Sequence, residues 1–154
     1  MQLAARAPVG LALRAAHYAF RQALQDRLPA GLSLPLAGVL VRLEEEDGLS
    51  SAELARRELV TAQTMTQLVG RLLDLGLVER RRHNTHGRIL TVHLTRSGHR
   101  TVDRCMSIAA DIENRMLDGF STAERRSLLA ALQRCTRAAQ TAARGAVQPQ
   151  RRTT

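Results

Sequence analysis

A chain of 154 residues, of which 44% are hydrophobic, is long enough for one domain with a modest core. Aromatic residues make up only 2% and tryptophan is absent, so aliphatic side chains must fill that core, which favours packed helices. The formal net charge of +9 predicts a polyanionic partner, and nucleic acid is the expected one. No apolar run approaches the ~20 residues of a membrane span, and no early segment has the pattern of a secretion signal, which predicts a cytoplasmic protein.

Two helices are predicted before the middle of the chain. Residues 1–10 are an Ala- and Arg-rich arm, residues 11–28 form a long helix with an apolar stripe, and residues 34–45 form a second helix. Four acidic residues follow at positions 44–47, at a helix C-terminus, where negative charge opposes the helix macrodipole. They either fray the helix end or pair with arginines of a neighbouring element.

Residues 49–95 have the pattern of helix, turn, helix and a two-stranded hairpin. Ser50 or Ser51 can cap a first helix, and Glu53 is placed to complete a capping box. Thr61 can cap a second helix. Four apolar residues of that helix recur at helical spacing and share one face: Met65, Leu68, Val69 and Leu72.

The opposite face of the second helix is polar and almost uncharged. At ~100° per residue it is centred on Gln63 and Gln67, with Thr64, Thr66 and Arg71 beside them. Glutamine can offer a donor and an acceptor together to adenine in the major groove, and threonine can bond a base or touch a thymine methyl. Phosphates would be left to Arg71, to the backbone N–H groups of the helix N-terminus and to the hairpin. Alone, such a face is ordinary solvated surface; between a first helix and a basic hairpin it favours DNA binding.

The predicted hairpin is basic. Residues 78–83 and 89–94 alternate as two strands around a polar tip. Arginines at positions 80–82 enter the tip, and Arg88 leaves it, placed to enter a minor groove. The alternative is a basic edge strand that only blocks sheet-to-sheet association. The residues predicted to contact DNA are Ser50, Thr61, Gln63, Thr64, Thr66, Gln67, Arg71, Arg81 and Arg88.

A set of residues across this stretch matches a known family pattern. The matching residues are Leu49-Ser50, Glu53-Leu54-Ala55-Arg56-Arg57, Val60, Thr64, Thr66, Leu68-Val69, Arg71-Leu72, Leu75-Gly76-Leu77-Val78-Glu79-Arg80 and Leu94-Thr95-x-x-Gly98, and Leu34 to Leu40 match the start of the second helix. Together they resemble the MarR family of winged-helix transcriptional regulators. The wing tip departs from the family's Asp-x-x-Asp-Arg-Arg pattern, because only its last arginine, Arg88, is present.

The resemblance implies a mainly α fold with a small β-wing, in which a winged helix-turn-helix lies between dimerisation helices. It implies a homodimer that binds double-stranded DNA at a pseudo-palindromic operator, as a repressor, with release by a small aromatic or phenolic effector. Such effectors bind between the dimer helices and the winged lobe of the family. His17, Tyr18 and Arg21 could offer a cation and donors to a carboxylate there, although a hydrogen-bonded core or interface histidine is the simpler interpretation of His17.

The C-terminal third is predicted to be helical. Residues 99–117 and 121–144 form two helices, the second starting at a capping signature, and the tail is expected to be disordered. These helices carry more apolar surface than one small winged unit can cover, so an isologous dimer would bury the excess. The predicted organisation is a helical dimerisation region over residues 1–33 and 96–145, a DNA-binding lobe over residues 34–95, and a basic tail over residues 146–154.

Other chemistry has little support in the sequence. Cys105 and Cys135 lie far apart in helical patterns, which suits buried thiols in a reducing compartment. The histidines near the wing lack carboxylate or cysteine partners at ligand spacing, so no metal or other cofactor is expected. No phosphate loop, nucleophile elbow or paired catalytic carboxylates are present, so the chain is not expected to be an enzyme. The alternative to a DNA-binding regulator is a winged-helix module that binds an acidic protein.

Overall fold

Six helices and three short strands make up the described part of the chain. The computed structural model describes residues 8–82 and 90–145, with side chains up to residue 142. In chain order the elements are α1 (Pro8–Gln25), α2 (Leu34–Glu45), β1 (Leu49–Ser50), α3 (Ser51–Arg57), α4 (Ala62–Asp74), β2 (Val78–Arg82), β3 (Leu90–Leu94), α5 (Arg96–Met116) and α6 (Thr122–Gly145). The prediction of a mainly α fold with a small β-wing is confirmed. The predicted wing tip, with Arg88, and the predicted tail lie outside the described residues.

The second helix has the predicted bounds, whereas the first is displaced. α1 begins at Pro8 rather than Leu11. Proline is favoured in the first turn of a helix, because the N–H that it lacks would have no intrahelical acceptor there. α1 ends at Gln25 rather than Leu28, and the Gln25 side-chain oxygen then accepts the N–H of Leu34 at 3.2 Å. The start of α2 is therefore tied to the end of α1.

The three strands form one antiparallel sheet in the order β1-β3-β2. In the hairpin of β2 and β3, Val78 lies opposite Leu94, and in the pair of β1 and β3, Leu49 lies opposite Val92. The sequence did not predict β1, because two residues carry no readable alternation. Leu90, which pairs with Arg82 at the start of β3, is 48% exposed. Because β1 runs directly into α3, the sheet joins the wing to the helix-turn-helix.

One apolar core lies between α2, α3, α4 and the sheet. Its fully buried side chains are Val39, Leu40, Leu43, Leu54, Met65, Val69, Leu72 and Val92. Three of them come from α4, and burying each such side chain stabilises the fold by about 1.5–3 kcal/mol. This packing fixes the rotation of α4 about its axis and turns the opposite face outward.

The acidic run at positions 44–47 is paired. The pairs are Glu44 with His99, Glu45 with Arg42, Glu46 with Arg57, and Asp47 with His93. The Arg57 guanidinium, through its hydrogen bond, lowers the pKa of the Glu46 carboxyl. The sequence left fraying and pairing open, and the structure has pairing, with histidines as well as arginines as partners.

The chain divides into two compact units, Met1–Glu113 and Asn114–Thr154. In the second unit, α6 begins with a capping box in which the Ser121 hydroxyl accepts the N–H of Glu124 at 3.3 Å and the Glu124 carboxylate accepts the N–H of Ser121 at 2.8 Å. These hydrogen bonds lower the pKa of Glu124. The predicted capping signature is confirmed. None of the α6 residues with a described side chain is buried.

The turn between α3 and α4 contains a strained leucine. Leu59 has φ +55° and its side chain is 91% exposed, so it occupies the left-handed region without a packing gain. We expect Leu59→Gly to raise the free energy of unfolding by about 1 kcal/mol, because glycine adopts this conformation without a steric cost. Urea denaturation measures the change.

The control for that substitution is Leu75→Gly, at a partly exposed leucine with an ordinary φ of −79°. Glycine there relieves no strain and adds backbone entropy to the unfolded state, so it should destabilise the protein. A stabilising Leu75→Gly, or a destabilising Leu59→Gly, would contradict the assignment of strain to Leu59.

Candidate nucleic-acid interface

The outer face of α4 is exposed as the sequence predicts. Met65 and Val69 are fully buried beneath the helix, and Gln63, Thr64 and Gln67 are exposed on the other side. Neither glutamine has a hydrogen-bond partner in the described part of the chain. Their amide groups are therefore available to a partner that offers paired donors and acceptors, such as the edge of a base.

The threonines of α4 are engaged with their own helix. The Thr61 hydroxyl accepts the N–H of Thr64 at 3.1 Å and lies 2.8 Å from the Thr64 hydroxyl, which confirms the predicted cap. The Thr66 hydroxyl donates to the carbonyl of Ala62 at 2.8 Å. These hydrogen bonds stabilise the first turns of α4. What the hydroxyl groups can still offer a ligand is mainly acceptor lone pairs, together with the threonine methyl groups.

Ser50 is likewise committed to the start of α3. Its hydroxyl accepts the N–H of Glu53 at 3.3 Å, and the Glu53 carboxylate accepts the N–H of Ser50 at 2.8 Å, a complete capping box. The hydrogen bond from the Ser50 side chain, followed by that from its backbone, lowers the pKa of Glu53. Ser50 was predicted as a DNA contact, and the structure gives its side chain this capping role.

The capping box makes a testable contribution to stability. A carboxyl whose pKa is lower in the folded state stabilises the fold above its unfolded pKa, and the contribution is lost as the pH falls through the folded pKa. We expect Ser50→Ala to cost about 1 kcal/mol at neutral pH and less in acid, measured by urea denaturation from pH 7 to pH 3. Ser51→Ala is the matched control, because Ser51 has no capping hydrogen bond within the described residues. Equal losses for both variants, or a loss from Ser50→Ala that is as large at pH 3 as at pH 7, would contradict this role.

The wing arginines differ in how they are held. Arg81 forms an ion pair with Glu79 on its own strand, with Nε 2.7 Å from the carboxylate oxygen. Arg80 and Arg82 are exposed and have no ion pair among residues 8–82 and 90–145. The sequence analysis selected Arg81 for DNA contact, whereas in the structure Arg81 is paired and its neighbours Arg80 and Arg82 lack an ion pair within the described residues.

A further cation lies on α3. Arg57 is paired with Glu46 and Arg42 with Glu58, but Arg56 is exposed and has no ion pair within the described ranges. The sequence could not separate Arg56 from Arg57, because the carboxylate that neutralises Arg57 comes from another element. Arg71 of α4 is also exposed without an ion pair in the same part of the chain. Arg56, Arg71, Arg80 and Arg82 thus provide positive charge close in sequence to the glutamine face, as phosphate contact requires.

The cavities lined by described residues include two in the first unit. The larger, of about 310 Å³, is lined mainly by apolar side chains of α1, α2 and α5, including Leu24 and the buried Cys105. Burial raises the pKa of the Cys105 thiol. The smaller, of about 260 Å³, is lined by Arg21 and by α2, the α3–α4 turn and α4. His17 and Tyr18, grouped with Arg21 in the sequence-based prediction, are exposed on α1 and line neither cavity.

The two cysteines differ in burial. Cys105 is buried, but the prediction of a buried thiol is wrong for Cys135, which is exposed on α6. No group of three potential metal ligands comes together among the described residues. His93 and His99 pair with carboxylates instead. None of the described helices is long and apolar enough to cross a bilayer.

Comparisons with known proteins agree with this geometry. Residues 30–89 match the sequence model of the MarR family. The chain is 35% identical over 127 residues to the HTH-type transcriptional repressor Rv2887 of Mycobacterium tuberculosis, covering 82% of this chain and 91% of that one. The crystal structure of Rv2887, a MarR family protein in complex with DNA, has a TM-score of 0.72 and 29% identity, covering 83% of this chain and 97% of that one. BpsR of Bordetella bronchiseptica shares the fold, with a TM-score of 0.69 and 22% identity, over 84% of this chain and 98% of that one.

Helix α3 is capped, the α4 that follows it has an exposed polar face, and a three-stranded sheet forms the wing. These features define a winged helix-turn-helix protein. The chain belongs to the MarR family and is a DNA-binding transcriptional regulator. The family is one of transcription regulators, so the chain is a regulator rather than an enzyme.

Proposed function

We propose that the protein is a repressor that binds a pseudo-palindromic operator as a homodimer. The observation that carries the proposal is the exposed, unpartnered pair Gln63 and Gln67 on a helix whose other face is buried in the core. Helix α4 of each subunit would be the reading helix, the one that contacts the bases. The two reading helices would enter successive major grooves, with half-sites about 10 bp apart. Arg56, Arg71 and the wing arginines would contact phosphates and fix the register. The similar repressor Rv2887 and its DNA complex support this role.

Direct binding tests the proposal. The protein should shift a duplex from its own upstream region in the presence of excess random duplex, and footprinting should reveal two protected half-sites about one helical turn apart. Equal competition by random DNA would overturn the proposed operator recognition. Binding to an acidic protein with no DNA binding would favour an interaction module instead. A regulator of this kind acts on chromosomal DNA, so the cytoplasm is its proposed compartment.

Unburied apolar surface on the helices supports a homodimer. α6 has no buried residue among its described side chains, and the first and fifth helices also expose apolar side chains. The large exposed ones on these helices and the α5–α6 turn are Val9, Leu13, Tyr18, Met106, Met116, Phe120, Leu128, Leu129 and Leu132. An isologous interface would cover such a surface. The proposed division is a dimerisation region over residues 1–33 and 96–145 and a DNA-binding lobe over residues 34–95.

The dimer predicts that the same added charge has different effects at two positions of α6. Leu129 is 57% exposed on the apolar face of the helix, and Ser127 lies toward its polar side. We expect Leu129→Glu to raise the dimer dissociation constant roughly tenfold or more, because a charge buried in an interface loses its hydration. Ser127→Glu adds the same charge and should leave dissociation unchanged. Sedimentation equilibrium measures both; identical dissociation of the two variants would contradict an interface through this face.

A small effector would bind in the first unit. The two cavities there adjoin α2 and, in the smaller one, α4, so occupancy could change the position of the reading helix. The mainly apolar lining of the larger cavity suits an aromatic ring, and Arg21 at the smaller one suits a carboxylate. In BpsR of Bordetella bronchiseptica, DNA binding is regulated by 6-hydroxynicotinic acid. We propose an aromatic or phenolic acid as the effector class, with Arg21 as its cationic partner.

A further inference from the structure

The larger cavity of the first unit is apolar over most of its lining. Side chains of α1, α2 and α5 contribute, among them Leu24, Leu28, Val41 and Met106. Its volume of about 310 Å³ lies at the lower end of the range for small-molecule sites, and a cavity of about 150 Å³ is already large enough to hold benzene. The cavity therefore has room for one aromatic ring with a short substituent.

The charged residues that line this cavity form one cluster. Arg42 donates from Nε to Glu58 Oε1 at 3.0 Å, and its Nη1 pairs with the Glu45 carboxylate. All three residues line the cavity, and no other lining residue is charged. Two carboxylates share one guanidinium, so the cluster has an excess of one negative charge. An anionic ligand in this cavity would meet an arginine that is already paired on both sides.

Glu58 has one oxygen left for a ligand. Its Oε2 accepts no hydrogen bond within the described residues, and its side chain is only 25% exposed, so water reaches the group incompletely. Gly38 of α2 leaves this oxygen uncovered, because a Cβ atom at that position would lie 3.5 Å from Oε2. A carboxylate oxygen in such surroundings forms its strongest hydrogen bond with a charged donor.

We propose that the larger cavity binds an aromatic ammonium compound, with its ring against the apolar side chains and its ammonium group donating to Glu58 Oε2. This site is separate from the one proposed for an acid, because Arg21 lines the smaller cavity and not the larger one. The two cavities adjoin, since Glu58 and Gly38 line both. The first unit thus has two neighbouring sites with opposite charge preference, and Glu58 lies in the turn that leads to α4.

Three probes of similar size and different charge test the charge preference. Isothermal titration calorimetry of the full-length protein at pH 7 compares 2-phenylethylammonium, 2-phenylethanol and 3-phenylpropionate. The ammonium compound should bind about tenfold more tightly than either of the others. The chain's net charge of +9 favours the anion at any non-specific site, so a preference for the cation must arise locally. Equal affinities, or tighter binding of the acid, would overturn the proposal.

Glu58→Gln removes the proposed ammonium acceptor. It should weaken binding of the ammonium compound about tenfold and leave the affinity for the neutral alcohol unchanged. Glu113→Gln is the matched control, because Glu113 is exposed on α5 and lines neither cavity. Equal weakening by the two substitutions would show a general effect of charge and would refute a site at Glu58.

Methionine methyl resonances locate the bound ring. An aromatic ring in the larger cavity should shift the methyl signal of Met106, which lines it, and leave those of Met65 in the core and Met116 in the second unit in place. A ligand that shifts Met116 and not Met106 would be bound elsewhere, contrary to the proposal.

Gly38→Ala tests access to the oxygen without changing any charge. The added methyl group would make an ordinary contact with Glu58 Oε2 and cover part of it, so the ammonium compound should bind at least about threefold more weakly. Gly70→Ala is the control, because nothing lies within 4 Å of a Cβ atom at that position. Equal affinities of the two variants would contradict placement of the ammonium group at Glu58. All these measurements omit DNA, so their outcome is independent of the proposed operator binding.

Discussion

Replacing Gln67 by alanine should cost roughly 1–3 kcal/mol of binding free energy on the cognate operator and leave binding to random duplex nearly unchanged. The reason is geometric. Gln67 lies on the exposed side of α4, opposite fully buried core residues, and its amide has no partner in the described part of the protein. An amide that bonds two atoms of one base distinguishes that base from the others. Truncation to alanine removes both bonds and, with them, the preference for that base. Fluorescence anisotropy with labelled operator and labelled random duplex measures the two affinities.

Arg71→Ala is the matched control on the same helix. Arg71 is exposed and is proposed to contact phosphate, which is present in every sequence. Its removal should weaken operator and random duplex together and reduce the slope of log affinity against log salt by about one unit. Gln67→Ala should leave that salt slope as it is. If both variants weakened both duplexes to the same degree, α4 would not be the helix that reads the bases.

Much of the winged unit could be predicted because its signals are local. Thr61 and Thr64, Ser50 and Glu53, and Ser121 and Glu124 are each three residues apart, so their capping bonds depend only on helix geometry. The apolar face of α4 follows from helical spacing in the same way. The outward face of the reading helix needed no tertiary information, since it is whatever lies opposite the buried stripe.

The features that sequence reasoning missed depend on distant contacts. The two residues of β1 become a strand only because β3 lies beside them. Arg57 is paired with Glu46 of another element, whereas Arg56 has no ion pair within the described residues, and nothing in the neighbouring sequence separates the two. His93 pairs with Asp47, which lies 46 positions earlier in the chain. Local propensity determines the helices and strands. Which arginines remain available for a partner depends on which of them the fold places beside a carboxylate.

Gly98 is expected to be the glycine least tolerant of substitution. It lies in the first turn of α5 and is buried, and a Cβ atom there would stand 2.1 Å from the carbonyl oxygen of Leu77 and 3.1 Å from Leu94 Cδ2. The backbone here is held by its own hydrogen bonds, because Thr95 donates from its N–H to Leu77 at 3.0 Å and from its hydroxyl to Gly76 at 2.8 Å. An added methyl group must therefore displace the start of α5 from the entry to β2. This close approach gives a physical reason for glycine at this position of the family pattern.

We expect Gly98→Ala to lower the free energy of unfolding by about 3 kcal/mol, since the clash is with backbone that cannot rotate away. Gly70→Ala is the control. Gly70 also lies inside a helix, nothing stands within 4 Å of the position that a Cβ atom would take there, and alanine should stabilise the protein by about 0.5–1 kcal/mol. Urea denaturation of both variants at one protein concentration separates a steric requirement from helix propensity. Opposite signs are the expected result, because the two substitutions add the same methyl group to a helix and differ only in whether the backbone of Leu77 already occupies the space.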